Sequence, residues 1–74
     1  VRGFRVELGE IESVLGQHEA VREAAVEMRG GRLAAYLVPR GEESPPAAVL
    51  RAFLEERLPE YMIPAAFVAL PALR

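Results

Sequence analysis

The sequence predicts a small α+β domain in which a three-stranded antiparallel sheet packs against two main helices. Three observations predict it. Some runs alternate apolar and charged residues as half-buried strands do, two runs repeat apolar residues at helical spacing, and a Gly-Gly pair separates two strand-like runs. A chain of 74 residues has room for one domain, which is assigned to residues 1–74.

The first two elements are a short strand and a helix. Apolar and charged residues alternate over residues 4–8, which predicts a half-buried strand. Apolar residues then follow helical spacing at Leu8, Ile11, Val14 and Leu15. Acidic side chains that favour the helix dipole lie in the first turn, at Glu7, Glu10 and Glu12. His18 is predicted to end the helix and to favour the opposite end of the dipole.

The middle of the chain predicts a β-hairpin. Residues 21–28 contain helix-favouring Ala and Glu, but their apolar positions alternate with glutamates. Gly30 and Gly31 follow, and two glycines between alternating runs are a two-residue turn signal. Residues 32–38 are apolar on both faces, as a central strand should be.

A second helix and a final short strand complete the prediction. Ser44 is predicted as the N-cap and Pro45 as the first helical residue, and Pro59 ends the helix. The apolar side of this helix consists of Val49, Leu50, Phe53, Leu54 and Leu58. Residues 67–70 follow a proline-bounded loop as a possible edge strand. The order β-α-β-β-α-(β) is that of a ferredoxin-like layer.

Composition excludes several chemistries. The chain has no cysteine and one histidine, so disulfides, thiolate nucleophiles and His-paired metal sites are excluded. All nine basic residues are arginine, so no P-loop or Schiff-base lysine exists. The net charge of −2 argues against nucleic-acid binding, and no apolar run is long enough to span a membrane. We therefore expect a cytoplasmic domain with no nucleic-acid or membrane partner and no metal site.

The residues form no recognisable active site. Neither Ser13 nor Ser44 is expected near His18, the one possible imidazole base, so a nucleophilic serine is disfavoured. Glu10 and Glu12 point in different directions on a helix and are interpreted as solvated side chains of the first turn. We expect no catalytic residue in the chain.

Two segments need more than a structural explanation. In residues 1–12, Gly3 allows a close backbone approach, and Arg2 and Arg5 beside it could bind an anion. In residues 58–64, an aromatic residue and a methionine lie between two prolines. A purely structural interpretation of the second segment is a rigid loop that packs Tyr61 and Met62 into the core.

Together these segments resemble a known family. RGFRVELGEIE (residues 2–12) resembles the eighth core motif of the adenylation domains of nonribosomal peptide synthetases, and LPEYMIP (residues 58–64) resembles the ninth. The family's usual layout lies between them, as HEAVREAAV (residues 18–26), YLVP (residues 36–39) and LRAFLEERLP (residues 50–59). The resemblance covers essentially the whole chain and identifies it with the C-terminal lid subdomain, truncated before the tenth core motif.

The resemblance implies a function for the parent protein. Such synthetases use ATP and Mg²⁺ to activate an amino acid as an aminoacyl-adenylate, for peptide antibiotics and other secondary metabolites. They then transfer the acyl group to the phosphopantetheine thiol of a peptidyl carrier domain. The lid rotates on a large N-terminal subdomain, first delivering a lysine of the tenth motif and then presenting the eighth-motif loop. The expected partners are that subdomain and the carrier domain.

The resemblance also assigns roles to residues. Gly3 and Phe4 would line the pantetheine tunnel, Arg5 with Arg2 would face the large subdomain or the carrier, and Glu7 would orient the loop. The ninth-motif residues would support the following segment structurally: Pro59, Tyr61, Met62 and Pro64.

One departure from the family matters for activity. The chain has no lysine and stops at Arg74, before the tenth motif, so the isolated fragment is expected to bind no cofactor and to be inactive. Two alternatives remain open: the equivalent lid of an acyl-CoA or aryl-acid ligase, and a free-standing ferredoxin-like module that binds a ligand or dimerises.

Overall fold

The computed structural model describes residues 7–72, which form two α-helices, a short 3₁₀-helix and three strands. In chain order the elements are α1 (Leu8–Leu15), β1 (Val21–Arg29), β2 (Arg32–Pro39), α2 (Ala47–Glu55), the 3₁₀-helix (Glu60–Met62) and β3 (Ala66–Ala69). Both predicted helices, both hairpin strands and the last strand are present, so the predicted α+β class is confirmed. Neither α-helix of the described part has the length and apolar character needed to cross a membrane.

The sheet has the order β1-β2-β3 and is mixed. β1 and β2 are antiparallel and joined at Gly30 and Gly31, whose φ angles of 56° and 80° are the positive values that a tight hairpin turn requires. β2 and β3 are parallel, with Ala35 paired to Phe67 and Leu37 to Ala69. The expectation of a wholly antiparallel sheet is therefore wrong for β3. The segment that connects β2 to β3 includes α2 and brings the chain back to the end of the sheet where β2 begins, as a parallel connection requires.

Three predicted boundaries differ from the structure. Most of the strand predicted over residues 4–8 lies outside the described residues, but Leu8 belongs to α1. Ser44 is not the N-cap of α2: the cap is Pro46, whose carbonyl accepts the Val49 and Leu50 N–H groups. A residue that precedes proline is disfavoured in the helical region, so the Pro45–Pro46 pair delays the helix start to Ala47.

The hydrophobic core lies between the two helices and one face of the sheet. Ile11 and Leu15 of α1 and Leu50 and Leu54 of α2 are fully buried there. The sheet contributes alternate residues of its strands, Val26, Leu33, Ala35 and Leu37. Ile11 of α1 and Met62 of the 3₁₀-helix belong to this one core, so both elements are part of the same packed unit.

Candidate functional site

Of the residues assigned to the first site segment, Glu7 is the one that the structure describes. It precedes α1 with an extended backbone, and its carbonyl oxygen accepts the N–H groups of Glu10 at 3.0 Å and Ile11 at 3.2 Å. Its backbone therefore joins the segment to the first turn of the helix. The other residues assigned to the segment, Arg2, Gly3, Phe4 and Arg5, lie outside the described residues.

Glu12 is bound to the sheet. Its Oε2 atom accepts a hydrogen bond of 2.9 Å from the backbone N–H of Val26 in β1, and the residue is half-buried. The interpretation of Glu12 as a solvated side chain of the first turn is therefore wrong, whereas Glu10 is exposed as expected. Glu12 follows the buried Ile11 in the helix. No local sequence pattern predicts that its hydrogen-bond partner lies in a strand that begins nine residues later.

The ninth-motif loop is anchored from both sides. Pro59 precedes the 3₁₀-helix and its carbonyl accepts the Met62 N–H at 2.9 Å. Met62 and Pro64 are buried, and Met62 belongs to the core. Tyr61 is 43% exposed, so the interpretation that places it in the core with Met62 is wrong.

The end of α1 and the end of α2 meet in a stack of side chains. The rings of His18 and Phe53 lie 4.8 Å apart, nearly perpendicular, and the guanidinium of Arg57 lies 3.8 Å from the centre of the Phe53 ring. His18 Nδ1 accepts the Ala20 N–H at 3.0 Å. α1 ends at Leu15, so His18 is a turn residue that joins α1 to β1 and not the last residue of the helix.

The opposite face of the sheet carries a polar cluster. The Tyr36 hydroxyl donates to Glu27 Oε2 at 2.7 Å, and Arg29 Nη1 donates to both the Tyr36 oxygen and Glu27. These contacts, chiefly the hydrogen bond with Tyr36, raise the pKa of Arg29 above its ordinary value. The cluster is exposed, so water screens its charges.

An open groove of about 320 Å³ lies at the carboxyl ends of β2 and β3. Val38 and Pro39 line one side and Leu70 and Pro71 the other, and polar and apolar atoms share the lining about equally. The described lining residues include the acidic Glu42 and no basic side chain. The one charged group among the described lining residues is therefore negative and disfavours an anionic ligand.

The described residues do not bring the candidate serine and histidine side chains together. Neither Ser13 nor Ser44 is hydrogen-bonded to His18 within residues 7–72, where the Ser44 hydroxyl contacts the Pro45 carbonyl instead. No group of three His, Cys, Asp or Glu side chains in this range could hold a metal ion.

Residues 10–74 match the family described as AMP-binding enzyme C-terminal domain. One of the proteins that make up the linear gramicidin synthase of Brevibacillus parabrevis is 59% identical over 99% of this chain, which spans 1% of that protein. The dimodular nonribosomal peptide synthase of Bacillus subtilis is 51% identical over 99% of this chain, which spans 3% of it. The chain is thus a few per cent of the length of these relatives.

Solved structures share the fold. The unliganded O-succinylbenzoate coenzyme A synthetase of Bacillus subtilis has a TM-score of 0.86 and 38% identity over 93% of this chain, which covers 14% of that chain. A malonyl-CoA ligase, solved with methylmalonyl-CoA and AMP bound, has a TM-score of 0.85 and 33% identity over 97% of this chain, which covers 17% of that chain.

Proposed function

Because the chain belongs to the AMP-binding enzyme C-terminal domain family, we propose that it is the mobile lid of an amino-acid-activating adenylation domain. The observation that carries this proposal is the 59% identity with a linear gramicidin synthase protein across 99% of the chain. The fold adds support, since the same architecture occurs in adenylate-forming ligases.

The parent protein would carry out two reactions. In the first, an amino-acid carboxylate oxygen attacks the α-phosphorus of ATP, and pyrophosphate leaves. In the second, the phosphopantetheine thiol of a carrier domain loses its proton and attacks the acyl carbon, and AMP leaves. We assign ATP and Mg²⁺ to the large N-terminal subdomain on the basis of the resemblance. A cytoplasmic location is part of the same proposal.

The chain's own contribution is positional. Its two helices and sheet share one core, so the start of α1 and the 3₁₀-helix would move together when the lid rotates. Gly3 and Phe4 would line the pantetheine tunnel, and Arg5 with Arg2 would face the large subdomain or the carrier. The ninth-motif loop, held by Met62 and Pro64, would support the segment that follows β3.

The proposal is tested on the complete adenylation domain, on the same protein without residues 1–74 and its continuation, and on the 74-residue chain alone. We expect the complete domain to catalyse ATP–pyrophosphate exchange dependent on an amino acid, and both partial proteins to lack it. Turnover by the 74-residue chain alone would contradict the assignment of the chain as a lid.

The two alternatives make different predictions. The lid of an acyl-CoA or aryl-acid ligase is favoured by the CoA-ligase neighbours, but their identities of 38% and 33% are below the 59% of the gramicidin synthase protein. Transfer of the acyl group to free coenzyme A in preference to a carrier domain would support it. A free-standing dimerising module predicts that the melting temperature of the chain rises with its concentration.

A further inference from the structure

β1 forms one edge of the sheet in the described part of the chain. Backbone N–H groups on the outer side of an edge strand have no neighbouring strand to bind. At Val26 this position is filled by the Glu12 carboxylate, which accepts the N–H at 2.9 Å from fourteen residues earlier in the chain. The bond thus joins α1 directly to the backbone of the sheet.

This bond limits the movements of α1 that apolar packing permits. Ile11 is fully buried in the core, and Glu12 follows it, about 100° around the helix axis. Apolar contacts are non-directional, so a helix held by them alone can rotate or slide by small amounts. A hydrogen bond between a carboxylate and one backbone N–H is favourable only over a limited range of distances and angles, so it restrains the rotation of α1 about its axis.

The rotation of α1 determines the position of Glu7, the residue that precedes the helix. The Glu7 carbonyl is bound to the first turn of α1 by the N–H groups of Glu10 and Ile11. Glu7 and Glu12 are five residues apart, which corresponds to about 7.5 Å along a helix. A change in the rotation of α1 would therefore displace the Glu7 end of the eighth-motif segment.

We propose that Glu12 is a positioning residue for transfer of the acyl group to the carrier thiol. Its carboxylate holds α1 on Val26 and thereby holds Glu7, the residue that precedes α1, in a defined position on the domain. It is not a catalytic residue, because it binds the protein's own backbone. The inference rests on the proposed function. It goes beyond that function by assigning a role in the second reaction to a residue other than those assigned to the pantetheine tunnel.

The test uses the complete adenylation domain with its carrier domain. Glu12→Ala removes the acceptor, Glu12→Gln keeps an oxygen acceptor without the charge, and Glu10→Ala is the matched control on the exposed side of the same helix. ATP–pyrophosphate exchange measures the first reaction, with kcat and KM for the amino acid. Single-turnover loading of the carrier from a preformed adenylate measures the second. Hydrogen exchange at the Val26 amide measures the bond itself.

We expect Glu12→Ala to slow carrier loading about tenfold while exchange changes less than about twofold, since small misplacements of a reacting group carry large rate penalties. Protection of the Val26 amide should fall in the same variant. Glu12→Gln should restore most of the loading rate, and Glu10→Ala should match the unchanged protein. If Glu12→Ala does not fold, Glu12→Asp, one methylene shorter, replaces it with the same expectation.

Equal losses in both reactions would overturn the inference, because a purely structural role lowers both together. Normal loading by Glu12→Ala, or failure of Glu12→Gln to restore loading, would also overturn it. A complete domain with no exchange activity would reject the proposed function and this inference with it. If the unchanged domain has normal exchange activity but Glu12→Ala lowers both reactions equally, only this inference is rejected and the proposed function stands.

Discussion

The two faces of β2 are both largely apolar but have different surroundings. On the face beneath the helices, Leu33, Ala35 and Leu37 of β2 are buried. On the opposite face, Tyr36 is half-buried and its β3 neighbour Val68 is 38% exposed. Alternation along a strand assigns residues to faces, but only the elements packed on each face determine how much burial stabilises the fold.

The comparison also separates two kinds of residue. Residues beneath the helices belong to one cluster with Ile11 and Leu54, so their loss leaves a cavity. On the other face, Val68 and the cluster of Glu27, Arg29 and Tyr36 are in contact with water, although Val38 is buried. Substitutions on the first face should therefore change the free energy of unfolding much more than those on the second.

The largest effect is expected from Leu54→Ala. Leu54 is fully buried between α2 and the sheet, and its truncation should cost about 2–5 kcal/mol of unfolding free energy. Small domains have little stability to lose, so the variant should be largely unfolded at 25 °C. Urea unfolding followed by circular dichroism measures the difference.

The matched variant for Leu54→Ala is Val68→Ala on the opposite face, which should cost less than about 1 kcal/mol because Val68 is already 38% exposed. Equal losses from the two variants would show that a further segment covers the opposite face, and the contrast between the faces would not hold.

An intermediate effect is expected at the hairpin turn, which sets the register that assigns residues to the two faces. Gly31 has a φ of 80°, so Gly31→Ala should cost about 1–2 kcal/mol through backbone strain. Gly9→Ala is the control, since Gly9 lies in α1 with open space at its Cβ position and should gain up to about 1 kcal/mol. Thermal unfolding of both variants measures the sign, and stabilisation by Gly31→Ala would contradict the observed turn.

Most of the fold could be predicted because its signals are local. The hairpin depends on a Gly-Gly pair between alternating runs, and α2 on the spacing of residues such as Leu50 and Leu54. Leu8 belongs to two patterns at once, as the end of an alternating run and the start of a helical one, and the structure places it in α1. Ser44 is a good N-cap by type, but Pro45, which would be the first helical residue after it, precedes Pro46 and is therefore disfavoured in the helical region.

Features that depend on distant contacts could not be predicted. The direction of β3 depends on the connection through α2, and its four residues carry no signal for parallel or antiparallel pairing. The bond from Glu12 to Val26 joins residues fourteen positions apart, and an acidic residue near a helix start has a sufficient local explanation in the dipole. The candidate site is therefore predictable as a motif and not as a set of contacts.

The smallest effect is expected from Tyr36→Phe, on the face without helices. The variant removes the hydroxyl that donates to Glu27 at 2.7 Å, but water can replace this exposed bond, so the loss should be within about 0.5 kcal/mol. Tyr36→Ala also removes the ring, which lies between Ala25 and Val68 across the sheet, and should cost up to about 1 kcal/mol more. Comparison of the two variants by urea unfolding separates the contribution of the hydroxyl from that of the ring. A loss well above about 1 kcal/mol from Tyr36→Phe would mean that the hydroxyl is desolvated. The second face would then be as dry as the first, and the difference in stabilisation would have to come from the packing of the helices alone.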